Sequence, residues 1–363
     1  MMRQQEDSMA LREYDLLGTS AKRAVDIGLA AAEWYHTDIS RDEMKGLMRR
    51  SDGPALRDSV LYYGSMIVLA GIGIALWPSW WSAPFWLVYG VLYASGADSR
   101  WHEGGHGTAF KTPWMNALIY HVACFSLLRN PILWRWSHAR HHTDTIIVGR
   151  DPEIITMRPP DIFKVILLFF GWDSVQSSVK MFRYAFGSLT AQEKSFVPES
   201  DWAKAATVAR IWLVIYAATL ITALATGSLL PLMVIGGPIF YGSWHYIVTG
   251  LLQHTGMADN VLDHRLNTRT VYLNPFSQFV YWNMNYHIEH HMFPMVPYHA
   301  LPRLHARIKA DLPPPSTSIA QGLSEVFDAL RRQLTDPEYR IEKKLPPTAM
   351  PYRMDFHAEA LGL

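Results

Sequence analysis

Cysteine is almost missing from this 363-residue sequence: Cys124 is the only one. One thiol excludes internal disulfides. It also excludes an iron–sulfur cluster of the chain's own, which needs several thiolates. Net charge is nearly missing too, at +1 from 33 basic and 32 acidic residues, and no basic face of the kind that tracks nucleic acid stands out. The first 57 residues are rich in charge and hold no apolar run of the length a secretory signal needs, so no leader is expected. No internal repeat and no haem-binding domain is visible. Charge is scarcest in the long apolar runs, where Arg210 and His245 are nearly the only ionisable residues. A metal transporter would place more of them there.

What the chain has is four apolar stretches that reach or approach the roughly 20 residues needed to cross a hydrocarbon core. They run from about Ser59 to Trp77, Trp81 to Ala97, Ala205 to Thr226 and Leu229 to Leu252. The links within the first pair, around Pro78 and Ser79, and within the second, Gly227 and Ser228, carry no charge. Nearly all Lys and Arg lie in the other segments, which the positive-inside bias assigns to the cytoplasm. The expected architecture is all-α: four transmembrane helices in two hairpins under a cytoplasmic helical cap. Residues 1–57 form a cytoplasmic N-terminal segment, 58–312 the membrane domain with its cap, and 313–363 a C-terminal helix and tail. Arg210 is expected to snorkel to headgroups, and Trp77, Trp80, Trp81 and Trp86 to form an interfacial belt on the far side. Trp114 to Leu128 and Ile162 to Trp172 are too short to span and predict interfacial or re-entrant helices. Ile319, Leu323, Val326, Phe327 and Leu330 recur at helical spacing and predict an amphipathic helix on the cap. The last twenty or so residues are expected to be loosely ordered.

Histidine is abundant, at 16 residues, and most of it is clustered. His102 and His106 are four apart; His138, His141 and His142 form one HxxHH, and His287, His290 and His291 another; His254 closes the fourth apolar run. Residues three or four apart share one face of a helix, so each cluster aims at least two imidazoles at one point, and neutral imidazole suits iron, zinc and copper. Nine imidazoles are too many for one ion and suit two. His102 and His254 both fall just inside the cytoplasmic ends of apolar runs, at one height. A lone histidine is more often a hydrogen-bonded core or surface residue, and His36, His121, His264, His299, His305 and His357 have no partner at ligand spacing. His245, nine residues before His254, lies on the opposite helix face and is expected to bond a neighbouring helix.

These boxes, with His-His-Thr at 141–143 leading to Asp-Pro-Glu at 151–153 and Asn285-Tyr286 before the third box, resemble the membrane fatty acid desaturase superfamily over roughly Ser59 to Asp311. The resemblance implies two non-haem irons, O2 as co-substrate and two electrons for oxidising an unactivated C–H bond, most simply of a fatty acyl or lipid substrate. Carried over residue by residue, it implies His102, His106, His138, His141, His142, His254, His287, His290 and His291 as ligands. Acyl-CoA desaturases place an asparagine one helical turn before the counterpart of His254; here that position is Gly250. The text from Gln253 through 264–269 to His305 is similar to a bacterial subgroup that includes oxygenases of rhizopine catabolism fed by a Rieske-type ferredoxin. That likeness implies a bacterial inner membrane, a separate ferredoxin with its NAD(P)H reductase, and O-demethylation of a small molecule as an alternative reaction.

Imidazole ligands need acidic neighbours to orient their second ring nitrogens. Glu103, Asp144, Asp151, Glu153 and Glu289 are the nearby candidates, with Asp151 and Glu153 preferred for the reaction centre; the plain alternative for each is a solvated or capping acid. Lys111, Arg129, Arg135, Arg140, Arg303, Arg307 and Lys309 lie near the boxes, either as contacts to membrane lipids or as a docking surface for an acidic ferredoxin. A membrane haem protein would instead place single histidines mid-bilayer on facing helices.

Overall fold

The computed structural model describes residues 12–30 and 32–353. Among these the chain is helical, with no β-strand and two isolated bridges, Thr270–Tyr286 and Val271–Ser316. Two helical stretches among the described residues are long and apolar enough to cross a membrane: Arg41–Ala75, whose continuous helix is Asp52–Ala75, and Glu199–Thr226. At 1.5 Å per residue the second reaches about 42 Å. Val60, Ile67 and Val68 on one, and Val214, Ile221 and Leu224 on the other, are exposed. A contiguous apolar surface of this kind marks a lipid or protein interface.

The second and fourth apolar runs are shorter as helices than as sequence. In the second, Ser79 caps a single 3₁₀ turn, Trp80–Ser82, and the α-helix proper is Ala83–Ala94, about 18 Å long. The fourth is broken by Gly236, at φ 86°, and Gly237, giving Leu230–Val234 and then Pro238–His254, about 26 Å long. Of the four runs expected to cross, two form long continuous helices, one a short helix and the fourth a broken pair. Ala83–Ala94 and Pro238–His254 cross at very close range, since a Cβ on Gly242 would lie 1.9 Å from the Gly90 carbonyl oxygen. Small residues are what permit such an approach between helices.

Other expectations meet the structure unevenly. The run near Ile162 forms Ile162–Leu168 and Trp172–Ala185, joined by an 83° bend at Gly171. Arg210 donates from Nε to the Ala185 carbonyl at 2.7 Å. Trp80 and Trp81 are exposed, but Trp86 is buried against Gly73 and belongs to the core rather than a belt. His245 contacts Ser95 Oγ at 3.0 Å and Ser277 Oγ at 3.2 Å, so it does bond neighbouring elements. The C-terminal helix is Ile319–Gln333, capped by Ser318; it buries Val326 and Leu330, while Phe327 turns outward. The chain after it is pinned: Arg265 donates to the Met350 and Pro351 carbonyls at 3.0 Å each, and Met350 N to Asp311 Oδ1 at 2.9 Å. Looseness is therefore corrected as far as residue 353; residues 354–363, His357 among them, lie outside the described residues.

Candidate metal centre

Three short helices and one helix end carry the histidines. Arg100–His106 presents His102 and His106, and packs on Pro113–Ser126 because Gly104 leaves room; a Cβ there would lie 3.1 Å from the Asn116 carbonyl. Pro131–Thr143 starts at Asn130, whose side chain accepts from Ile132 N and Leu133 N, and presents His138, His141 and His142. His287–Met292 presents the third box, and His254 ends Pro238–His254. Trp101 and Leu133 anchor two of these elements in one hydrophobic core, and Ile288 and Met292 anchor the third-box helix in another. The boxes are held where the two cores meet.

The result is two groups of converging nitrogens. His102, His106, His138, His142 and His290 form one; His141, His254 and His291 form the other; within each, one ring nitrogen per residue lies within 4.8 Å of every other. His287 stands beside the second, its Nε2 3.2 Å from His291 Nε2. All nine are buried or half-buried.

The donor set can be tested against a metal. His106, His138, His142 and His290 form a chain of Nε2–Nε2 contacts of 3.1, 3.1 and 3.2 Å. An imidazole nitrogen either donates a hydrogen or offers a lone pair, so hydrogen bonds cannot serve all three contacts. A metal–nitrogen distance near 2.1 Å puts neighbouring ligands about 2.8–3.4 Å apart, which is the spacing found. His102 Nε2 and His254 Nε2 are moreover buried without a hydrogen-bond partner among the described residues. These residues fit a metal.

Protonation fits as well. Burial, with the neighbouring imidazoles, pushes His102, His138, His142, His287, His290 and His291 well below the ordinary histidine range, leaving them in the neutral form that binds metal. His141 is the exception. Burial is the largest single influence and opposes its charge, but Asp151, Glu153 and Asp98 together hold it up to about 9, so metal entry there displaces a proton.

Around the imidazoles, Asp151 Oδ2 lies 2.8 Å from His141 Nδ1 and also accepts from Ile146 N at 2.8 Å. Glu153 Oε2 lies 3.0 Å from His138 Nδ1, and its other oxygen accepts from Ser137 Oγ at 2.8 Å. Contacts of this kind fix ring orientation. The other candidates face elsewhere. Glu103 accepts from Thr108 Oγ1 and Tyr298 N; Asp144 pairs with Arg140 and Arg150; Glu289 accepts from Thr270 Oγ1 and faces His305. Sequence reasoning missed the Asn267 carbonyl, 3.0 Å from His254 Nδ1, and Thr145 Oγ1, 3.3 Å from His291 Nδ1. The carbonyl has no sequence signal, since any residue supplies one, and a lone threonine hydroxyl carries none either. His264 stacks on Trp34 at 4.2 Å and lies 5.2 Å from the His291 ring, as a wall of the site.

A cavity of about 630 Å³ opens beside the second group and is lined by His141 and His254 together with Asp98, Arg129, Tyr246 and Gly250. Of the basic residues read as a docking surface, Arg129 pairs with Asp173, Arg140 with Asp144 and Arg307 with Glu43, whereas Lys111, Arg135, Arg303 and Lys309 are exposed and form no ion pair among the described residues.

Two comparisons with known proteins bear on the site. A family model described as fatty acid desaturase matches residues 75–322, which holds every one of these histidines. The acyl-lipid omega-3 desaturase (cytochrome b5) of the endoplasmic reticulum of Arabidopsis thaliana is 23% identical over 283 residues, covering 68% of this chain and 69% of the relative.

Proposed function

This chain belongs to the fatty acid desaturase family, and from that premise we propose that it is a membrane oxidoreductase in which nine histidines hold two iron ions. The observation that carries the reading is the pair of buried imidazole groups, five residues in one and three in the other, with His287 completing the second. Two irons supplied with O2 and two electrons provide the power to abstract hydrogen from an unactivated C–H bond. The chain's own residues hold every imidazole of the site but His141 neutral, orient two of them through Asp151 and Glu153, and offer a cavity against His141 and His254 in which a substrate lies.

The favoured reaction is desaturation or hydroxylation of a fatty acyl or lipid substrate; the relative's name, an acyl-lipid desaturase, supports the acyl class. One observation favours a second reading. The cavity wall includes charged residues such as Asp98, Arg129 and Lys164, which suits a small or polar-headed substrate and with it mono-oxygenation or O-demethylation. Desaturation and hydroxylation share the first abstraction and diverge on substrate placement, to which reaction rates are steeply sensitive.

The test is to purify the protein, count metal, record an optical spectrum, and supply ferredoxin, reductase, NAD(P)H and a cell extract of lipids and small molecules. Two irons per chain without a haem spectrum are expected, with products that have lost two hydrogens, gained one oxygen or released formaldehyde. One zinc per chain, or a haem spectrum, would overturn the reading.

We further propose that the four apolar runs cross the membrane as two hairpins, the short helices serving as broken crossings. Broken helices are tolerated at membrane depth where protein covers them. The termini and the histidine cap then share the cytoplasmic side. Accessibility tags at residue 353 and within 145–160 should report one side and a tag at Ser79 the other. A tag at Ser79 reporting the same side as the cap would sink the two-hairpin arrangement.

A further inference from the structure

The cavity beside His141 and His254 has a charged wall, and most of that charge is internally matched. Asp173 pairs with Arg129, Glu193 with Arg183 at 2.8 Å, and Asp259 with Arg12 at 3.0 Å. Asp151 and Glu153 face histidines. Among the acids Asp98 differs: it lines the cavity, Arg129 and His141 act on its charge from a distance, and its carboxylate makes no hydrogen bond or ion pair among the described residues, as Lys164 and Lys180 on the same wall make no ion pair.

Its placement is specific. Asp98 sits in the turn between Ala83–Ala94 and Arg100–His106 at φ 49°, a left-handed conformation that aspartate tolerates better than most residues. The turn sets Asp98 four residues ahead of His102 and directs its carboxylate toward Gly250, itself four residues ahead of His254. A Cβ on Gly250 would lie 3.0 Å from Asp98 Oδ2. Glycine at 250 therefore leaves open the space that the carboxylate faces. An acceptor with no donor, at a cavity wall shared with two of the histidines, leaves a donor to be brought by whatever enters.

We propose that Asp98 anchors the substrate: its carboxylate accepts a hydrogen bond from a hydroxyl or ammonium group of the bound molecule and so fixes which carbon lies against the His141–His254 side of the cluster. The substrate class is then a molecule, lipid or small, with a hydrogen-bond donor near the carbon that is oxidised. Such an anchor selects against an acyl chain whose only polar group is a carboxylate or ester. The inference rests on the oxidative reading of the histidine site for its consequence and on the cavity alone for its binding claim.

Binding can be measured without turnover. Full-length protein in nanodiscs, with iron counted in each sample, is titrated by ligand-observed NMR with n-butylammonium, 1-butanol and butyrate, which share a chain and differ in the polar end. The ammonium should bind best, the alcohol next and butyrate least. Asp98→Ala should weaken the ammonium by about tenfold or more, as expected for a charge-assisted bond, and the alcohol by less. Asp98→Asn, which keeps an acceptor, should spare the alcohol while weakening the ammonium. Lys180→Gln, elsewhere on the wall, should leave the ammonium unchanged. Wild-type affinity for the ammonium in Asp98→Ala, or butyrate binding as well as butylammonium to the wild type, would overturn the proposal. Loss of iron together with binding in Asp98→Ala would overturn it as well, making Asp98 a support of the metal site. If the probes discriminate as expected in a chain that takes up no iron, the oxidative reading fails and the anchor stands.

Discussion

Replacing His290 by alanine should remove turnover and lower the iron content below the wild-type level. His290 is fully buried, its Nε2 lies 3.2 Å from His142 Nε2, and its ring centroid lies 4.5 Å from that of His102. Alanine there takes one nitrogen out of the five-histidine group and leaves a void that the packed third-box helix cannot close. Asp151→Ala offers a graded comparison. Asp151 touches His141 through the nitrogen that faces away from the cluster, and loss of such outer partners usually costs about ten- to a hundredfold in metal affinity or activity. His290→Ala should exceed that range. His121→Ala is the control, because His121 faces the Ala117 carbonyl of its own helix at 2.8 Å, packs edge-on against the Tyr120 ring, and stands outside both groups. Iron per chain and turnover measured on the same samples decide the matter. Full iron and full turnover in His290→Ala would remove that histidine from the metal site, and equal losses in His121→Ala would show that the assay reads folding instead.

The histidine geometry was legible because it is local. Four-residue spacing on a helix puts His102 and His106 on one face whatever the fold, and the HxxHH spacing does the same for the other boxes. Asp151 and Glu153 could be guessed because they follow the second box closely and the chain turns back after Thr143. What lay beyond reach was direction. Glu289 sits inside the third box, yet helix phase turns it away from the cluster to His305 and Thr270. Hydropathy gave the extent of the fourth apolar run but not its break at Gly236 and Gly237, since apolar neighbours mask two glycines in a windowed average. The closing segment reads as polar and proline-rich, and its order depends on Arg265, a residue about 85 positions away that is fully buried and also pairs with Asp263 and Asp311. The same long-range pairing removed Arg129, Arg140 and Arg307 from the free basic surface. Their partners Asp173, Asp144 and Glu43 could not be assigned from charge counts, because a formal net charge of +1 is compatible with any pairing.

Leaving out the electron donor should abolish turnover even when substrate, O2 and NAD(P)H are abundant. The chain's single thiol, Cys124, is buried and forms no disulfide, so it supplies no cysteine-ligated iron–sulfur carrier, and the proposed oxidation would draw its two electrons from a partner. The proposed donor is a small acidic ferredoxin of the Rieske type, reduced by its own reductase and docking on the cap. Two arginines of the cap are the candidates for where it would dock. Arg135 is exposed, stacked near the Tyr120 ring at 5.0 Å, on the helix that carries the second box, and Arg303 is exposed on the helix Leu301–Ile308. Neither is tied up in an ion pair among the described residues, unlike Arg140 and Arg307. Reversing Arg135 and Arg303 to glutamate should raise the apparent KM for ferredoxin severalfold, while the KM for substrate and the rate at saturating ferredoxin change little. Exposed charges are screened over a Debye length of about 8 Å at physiological ionic strength, so added salt should weaken the wild-type interaction and have less effect on the double variant. Reversal at Arg140 or Arg307 should disturb docking less, since each already faces a carboxylate. Full-rate turnover with reductase and NAD(P)H alone would dispose of the separate donor. An unchanged ferredoxin KM in the double variant would move the docking face away from these arginines and leave them to lipid headgroups.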